Sequence, residues 1–136
     1  MATYNKFQCF VEDLAEGKHN LGSDALKVAF SDASNAPSAS ADVKLADITT
    51  IATTNLDSVT LSVTSSSQTS GTYKLVVDDK TMTASGAVGP FQYVIIYNDT
   101  ATDDPLIAWY DYGSAITLAK DDTFKLDFGD QLFSLA

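Results

Sequence analysis

Three pairs of adjacent carboxylates, Asp78-Asp79, Asp103-Asp104 and Asp121-Asp122, are the first residues in this chain whose type could do chemistry. A glycosidase needs two carboxyl groups at a set separation, one of them with a raised pKa. Raising that pKa takes apolar burial, and each pair here lies in a polar segment where Asp stabilises turn backbones. We read the pairs as turn formers. The stretch Asn98 to Asp104, NDTATDD, clusters oxygen donors as calcium sites do, yet lacks the spacing and the glutamate of an EF-hand loop. It reads as an acidic loop, with a cation site as the alternative. His19 is the only histidine. Zinc needs several His or Cys ligands at defined spacings, and a Ser-His-Asp triad is defined by geometry rather than spacing. His19 is therefore expected to be an exposed turn residue. Cys9, the single cysteine, sits between Phe7 and Phe10 and reads as a packed thiol, since a nucleophile would need a nearby base. No GxGxxG and no P-loop occur. The aromatics at 91–112 could form a sugar- or peptide-binding platform, but alternating aromatics are what a sheet interior uses. The sequence assigns no catalytic residue, no cofactor and no metal, and the expectation is a protein that is not an enzyme.

Composition narrows the partners. The chain has 136 residues, eight lysines, no arginine and eighteen acids, sixteen of them Asp, for a net charge of −10. Nucleic acid and anionic membranes are bound through Lys and Arg that neutralise phosphate, so neither is expected as a partner. With one cysteine no intramolecular disulfide forms, and nothing points to a secreted disulfide scaffold. No apolar run reaches 18 residues, so no transmembrane helix is expected. The N-terminal residues lack an apolar signal-peptide core, which predicts folding in a cytoplasm. The length predicts one domain, 1–136, able to bury a core without disulfides or metals.

The elements that must position these residues are mostly strands. The periodicity predicts one helix, over residues 5–17. Phe7, Phe10, Val11 and Leu14 fall at i, i+3, i+4 and i+7 and form one apolar stripe. Asn5 and Gln8 have capping-box spacing, and Gly17 offers a stop. The stripe either covers one end of the sheet or docks on a neighbouring subunit. Ser31 to Asp42, rich in Ser, Ala, Asn and Pro, is a loop without periodicity that could lie across a partner. From the helix we take Phe7, Phe10, Val11 and Leu14, and from the loop Asn35 and Pro37, as the candidate partner interface. If the helix only docks, removing residues 1–17 leaves the sheet folded.

About eight short strands are expected. Leu26–Phe30, Val59–Val63, Tyr73–Asp78, Thr81–Ala84, Phe91–Tyr97 and Pro105–Tyr112 are six of them, with Lys44–Thr54 as an ambiguous further strand. Ala115–Leu118 and Thr123–Phe128 are expected to pair through a tight turn at Ala119–Asp122, and Leu132–Leu135 to end the chain as a short strand. The stretch 89–128 holds 8 of 14 aromatics and is expected to build the core, with Phe91, Tyr93, Ile95, Trp109, Phe124, Leu126 and Phe128 buried. Phe91, Tyr93, Ile95 and Tyr97 alternate onto one face, and the residues between them are apolar enough for both faces to be covered. Strands at this spacing without helices between them predict a mainly β protein, an antiparallel β-sandwich or barrel, jelly-roll-like, with one short N-terminal α-helix.

Three segments carry a resemblance: YNKFQCFVEDLAEGKHNLGSDALKVAF, TSSSQTSGTYKLVV and GPFQYVIIYNDTATDDPLIAWYDYGSAITL. Together they resemble small virion proteins encoded among the structural genes of tailed bacteriophages and prophages. The resemblance implies a capsid cement (decoration) protein that binds the outside of the expanded head, with the major capsid protein as partner and a homotrimer as its own state. It also implies a place on the virion surface after synthesis in the host bacterial cytoplasm. A tail or fibre component that binds a receptor or carbohydrate is the alternative within the same group.

Overall fold

The computed structural model describes residues 2–136. Its elements in chain order are β1 (Thr3–Lys6), α1 (Cys9–Ala15), β2 (Leu26–Ser31), a single 3₁₀ turn (Leu45–Asp47), β3 (Val63–Thr69), β4 (Thr72–Val77), β5 (Lys80–Thr83), β6 (Val88–Asn98), β7 (Leu106–Leu118), β8 (Thr123–Leu126) and β9 (Phe133–Leu135). The strands form three antiparallel sheets, ordered β1-β7-β6-β2, β3-β4-β9 and β5-β8. All three contribute to one main apolar cluster, a sandwich-like arrangement that does not close into a barrel.

The two longest strands form the spine. β6, as its sequence predicts, and the first residues of β7, 106–110, are apolar on both faces, and each face packs a different cluster. Val94, Ile96, Ile107 and Tyr110 point into the main core with Phe30, Leu75, Met82 and Phe124. Ile95, Tyr97, Leu106 and Trp109 point the other way and pack with Phe7, Ala29 and Ile48. Phe91 joins the main core rather than the face of Ile95 and Tyr97, because the pairing with β7 slips between Phe91 and Tyr93. Two steps along β6 there match five along β7, and a break of this kind resets which face a side chain takes, so simple alternation fails across it. Tyr93 is consequently half-buried, while the other six expected core residues are buried.

The N-terminal segment departs most from its sequence pattern. Residues 3–6 are not the start of a helix. They pair with β7 in the register Thr3↔Asp111 to Lys6↔Ala108, and the Phe7 amide extends the ladder to Ile107 O at 3.1 Å. Asn5 therefore caps nothing, and Gln8 occupies the N-cap position without a side-chain hydrogen bond. Phe7, taken as part of the helical stripe, lies before the helix and is fully buried 4.6 Å (ring centroids) from Trp109. Sheet pairing and this burial outweigh a helical propensity that is weak over so few residues. The helix end is as expected. Gly17 takes φ +77°, and the amides of Gly17 and Lys18 reach Leu14 O (3.3 Å) and Asp13 O (2.9 Å), the Schellman pattern. Because residues 3–10 supply an edge strand and two buried phenylalanines, residues 2–17 are part of the fold and not a dispensable docking arm.

Other corrections have local causes. Lys44–Thr54 is not a strand, because Asp47 accepts from the amides of Val43 (2.9 Å) and Lys44 (3.1 Å) and closes a 3₁₀ turn. The polar TSSSQT, which lies outside the expected strands, is most of a strand, β3. Ser70 (φ +53°) and Gly71 (φ +85°) form the two-residue hairpin that returns it as β4, and only glycine takes such a φ without cost. Residues 59–61 add only two bonds to the outer edge of β2, Val28 N to Val59 O and Leu61 N to Leu26 O. The turn at Ala119–Asp122 forms, but it changes sheets instead of making a hairpin. Residues 116–118 stay paired with β6, and β8 pairs with β5. Backbone bonds from Asp121 N to Ala84 O (2.7 Å) and from Ala84 N to Asp122 O (2.9 Å) dock the turn against the end of β5.

Candidate functional site

Helix α1 separates two depressions of nearly equal size that differ in charge. On one side lies a groove of about 780 Å³ bounded by β1, α1 and residues 131–135. β1 is the free edge of the four-stranded sheet and β9 the free edge of the three-stranded one, so the groove is where two sheet edges meet. Phe10, buried, lies at its base with its ring 5.2 Å edge-on to Phe133. Val11 (55% exposed), Leu135 (54%) and Tyr4 (37%) line it, and they are three of the four large hydrophobic residues exposed among the described residues. Lys6 is the only charged side chain lining it, and no acid does, on a chain with eighteen acids. The Tyr4 ring stands edge-on to Tyr110 at 5.6 Å. Burial pushes both phenols up to about 12, so both stay neutral. At four and three residues the edge strands are too short to recruit a long partner strand. Recognition here falls to side chains, not to a backbone ladder.

On the other side of α1 lies a polar depression of about 800 Å³, lined in part by Cys9, Glu12, Asp13, Lys18, Lys44 and Asp103. Lys18 Nζ donates to Asp13 Oδ1 at 2.8 Å, which raises the lysine's pKa. Burial, then the charge of Asp13, pushes the Cys9 thiol up, and its Sγ lies 3.7–3.9 Å from the carbonyl oxygens of Asp42, Val43 and Leu106. Carbonyl groups accept the thiol proton's hydrogen bond but do not remove the proton, so these surroundings favour the thiol over the nucleophilic thiolate.

The loop Asn98–Asp104 does not point its oxygens at a common centre. The Asn98 side chain turns inward, where its Oδ1 accepts from the amides of Thr100 and Ala101, each at 3.0 Å. Asp99 pairs with Lys27 at 3.0 Å. Burial, then the charge of Asp99, raises the pKa of Asp104. Among the described residues no three His, Cys, Asp or Glu side chains gather as a metal site would require. The paired carboxylates act on backbone: Asp79 accepts from Phe128 N at 2.9 Å and Asp122 from Ala119 N at 2.8 Å. The Phe128 bond, more than Lys125 at 3.5 Å, holds the Asp79 carboxyl below its ordinary value. Of the aromatics in 91–112, Phe91, Tyr97, Trp109 and Tyr110 are buried and Tyr93 and Tyr112 half-buried, so they form no exposed platform. His19, expected in an exposed turn, is buried at 7% exposure.

The structure splits the six candidate interface residues. Phe10, Val11 and Leu14 line the groove together. Phe7 is core. Asn35 and Pro37 lie in a different place, on a loop held by its own side chains. Asn35 Nδ2 donates to Asp32 Oδ1 (2.8 Å), Ser38 N to Asp42 Oδ2 (2.7 Å), and Gln8 N ties the loop to the start of α1 through Ala39 O (2.9 Å). Ala39 and Leu45 pack on the second cluster, so the segment covers the outer face of the spine. Tyr4 and Leu135, outside the expected interface, also line the groove. Each is apolar and near a chain end, a visible signal, but no local pattern says that the two ends meet. The chain matches no protein-family model, and no curated protein or solved structure shows significant similarity to it.

Proposed function

We propose that this protein is a structural component of a tailed-phage virion, a capsid cement protein that docks on the major capsid protein through the groove beside α1. The observation that carries the reading is the groove itself, which concentrates the exposed apolar residues and excludes every acid from its lining on a protein of net charge −10. Apolar patches of this kind, rimmed by polar surface, mark protein contacts. The resemblance of three sequence segments to small phage virion proteins supplies the partner's class. The physical work is linkage. A protein that binds the expanded shell and not its precursor stabilises the expanded state by the free energy of that difference. A homotrimer would place three grooves on one particle, so that contacts of modest strength act together.

The test is binding of purified protein to expanded and unexpanded shells of the phage that encodes it, together with copy number in virions. The expected result is binding to expanded shells alone, at hundreds of copies per virion, with light scattering giving a trimer mass. Tens of copies or fewer, with binding to host envelope or glycans in place of shells, replaces this reading with the tail or fibre component.

A further inference from the structure

Behind α1 lies a buried polar knot that the docking groove does not use. Asn98 is fully buried, and its side chain joins three segments. Its Oδ1 accepts from Thr100 N and Ala101 N, at 3.0 Å each, which folds the loop 98–101 over it. Its Nδ2 donates one hydrogen to Asp24 Oδ2 at 2.7 Å and lies 3.0 Å from His19 Nδ1. Two backbone donors on Oδ1 fix which end of the amide is which. Nδ2 therefore faces His19 as a donor, and Nδ1 must be the unprotonated nitrogen of the ring. The proton of the neutral ring sits on Nε2, which is buried and has no partner.

The contact with Asn98 does not accommodate a second ring proton. A proton on Nδ1 would set two donors against each other at 3.0 Å. Rotating the Asn98 amide to relieve the clash would give up both loop amides, and a buried donor left unmade is costly. The charged groups around the ring are Asp13 and Lys18 at the end of α1 and Asp24 in the turn that follows. Asp13 is engaged by Lys18 at 2.8 Å, and Asp24 already accepts from Asn20 N (2.8 Å) and Asn98. The Phe10 ring covers His19 edge-on at 5.2 Å.

We propose that His19 and Asn98 form an acid-sensitive latch: protonation of His19 breaks its contact with Asn98 and loosens the loop 98–101, leaving Asp99 N to Ala25 O (2.9 Å) and Ala25 N to Thr100 Oγ1 (2.8 Å) as its ties to the end of the turn. The direction of titration agrees. Burial, the largest influence, pulls His19 below its ordinary 6.5; Asp13 and Asp24 oppose this, and Lys18 adds to it. The folded state thus binds fewer protons than the unfolded chain in the region just below pH 6.5. The stabilisation is complete above that pH and is lost as pH falls toward the folded-state value. The latch holds whether or not the protein is a capsid component.

Because His19 is the only histidine, its ring signals in an NMR titration need no assignment among alternatives. The expected result for the full chain is a midpoint below 6.5, with hydrogen-exchange protection of Thr100 and Ala101 falling about tenfold or more through the same midpoint while β6 and β7 keep theirs. The variant His19→Gln keeps an acceptor for Asn98 without a titrating proton, and its loop protection is expected to be level from pH 7.5 to 5. A midpoint at or above 6.5 overturns the proposal. So does a low midpoint with unchanged protection at Thr100 and Ala101, a result that the wild-type chain alone can give even if the variant does not fold.

Discussion

The two flanks of α1 are alike in size and differ in charge. One depression, of about 780 Å³, has no acid in its lining and presents Val11, Leu135 and Tyr4 to solvent. The other, of about 800 Å³, is lined in part by Glu12, Asp13, Lys18, Lys44 and Asp103. A helix of seven residues makes the division by its period: Phe10, Val11 and Leu14 turn one way, Cys9, Glu12 and Asp13 the other. On the polar flank Asp13 meets Lys18 within the chain at 2.8 Å. On the apolar flank the side chains at the lips meet water. An unpaired apolar surface is a standing cost in solution unless something else covers it, and that is the physical reason to place a partner on this flank and not on the other.

The comparison breaks most forcefully at Phe10, which serves both flanks, since it lies at the base of the groove and also covers His19. Phe10→Ala is expected to lower stability by roughly 3–5 kcal/mol in denaturant melts, the cost of emptying a buried phenylalanine site. A loss below about 1 kcal/mol would mean that the base of the groove collapses freely and that Phe10 is lip rather than base. Lys18→Met sharpens the polar flank. It removes the partner of Asp13, a residue only 5% exposed. The expected loss is smaller than for Phe10→Ala, and the difference from wild type narrows as salt is added. Smallest of all is the expected effect of divalent ions. Calcium or EDTA should leave the melting temperature unchanged, because Asn98 spends its oxygen on the backbone of its own loop and Asp99 on Lys27. A rise with calcium that EDTA reverses would show that the loop rearranges into a cation site.

How much of this was legible before folding varies by element, and the reasons are physical. β2, β4 and β8 alternate with period two and lie where the pattern puts them. In β6 the alternation misleads after Phe91, because a bulge depends on what the partner strand does, and one strand's sequence does not contain its partner. Pairing beyond the turn at 119–122 differs from the expected hairpin for a related reason. Adjacency in sequence favours a hairpin, but Phe124 and Leu126 bury beside Met82 and so draw β8 to β5. In the candidate site the helical period brought Phe10, Val11 and Leu14 together correctly. Phe7 broke from them because residues 3–6 gain a strand partner in β7, a long-range event. Tyr4 and Leu135 complete the groove only because both chain ends lie on sheet edges that meet there.

The central claim is that the apolar flank of α1 is the docking surface and the polar flank is not. It is tested most directly by measuring melting and shell binding together for three proteins: wild type, Val11→Asp with Leu135→Ser, and Glu12→Ala. Val11 lies in the first helical turn, where an acid suits the helix dipole, so the substitution should not unfold α1. Melting of all three is expected to agree within about 0.5 kcal/mol, as for exposed positions generally. The account predicts that the groove variant loses binding to expanded shells by about tenfold or more, while Glu12→Ala binds like wild type. A groove variant that folds and binds like wild type, or a Glu12→Ala variant that loses binding as severely, would contradict it.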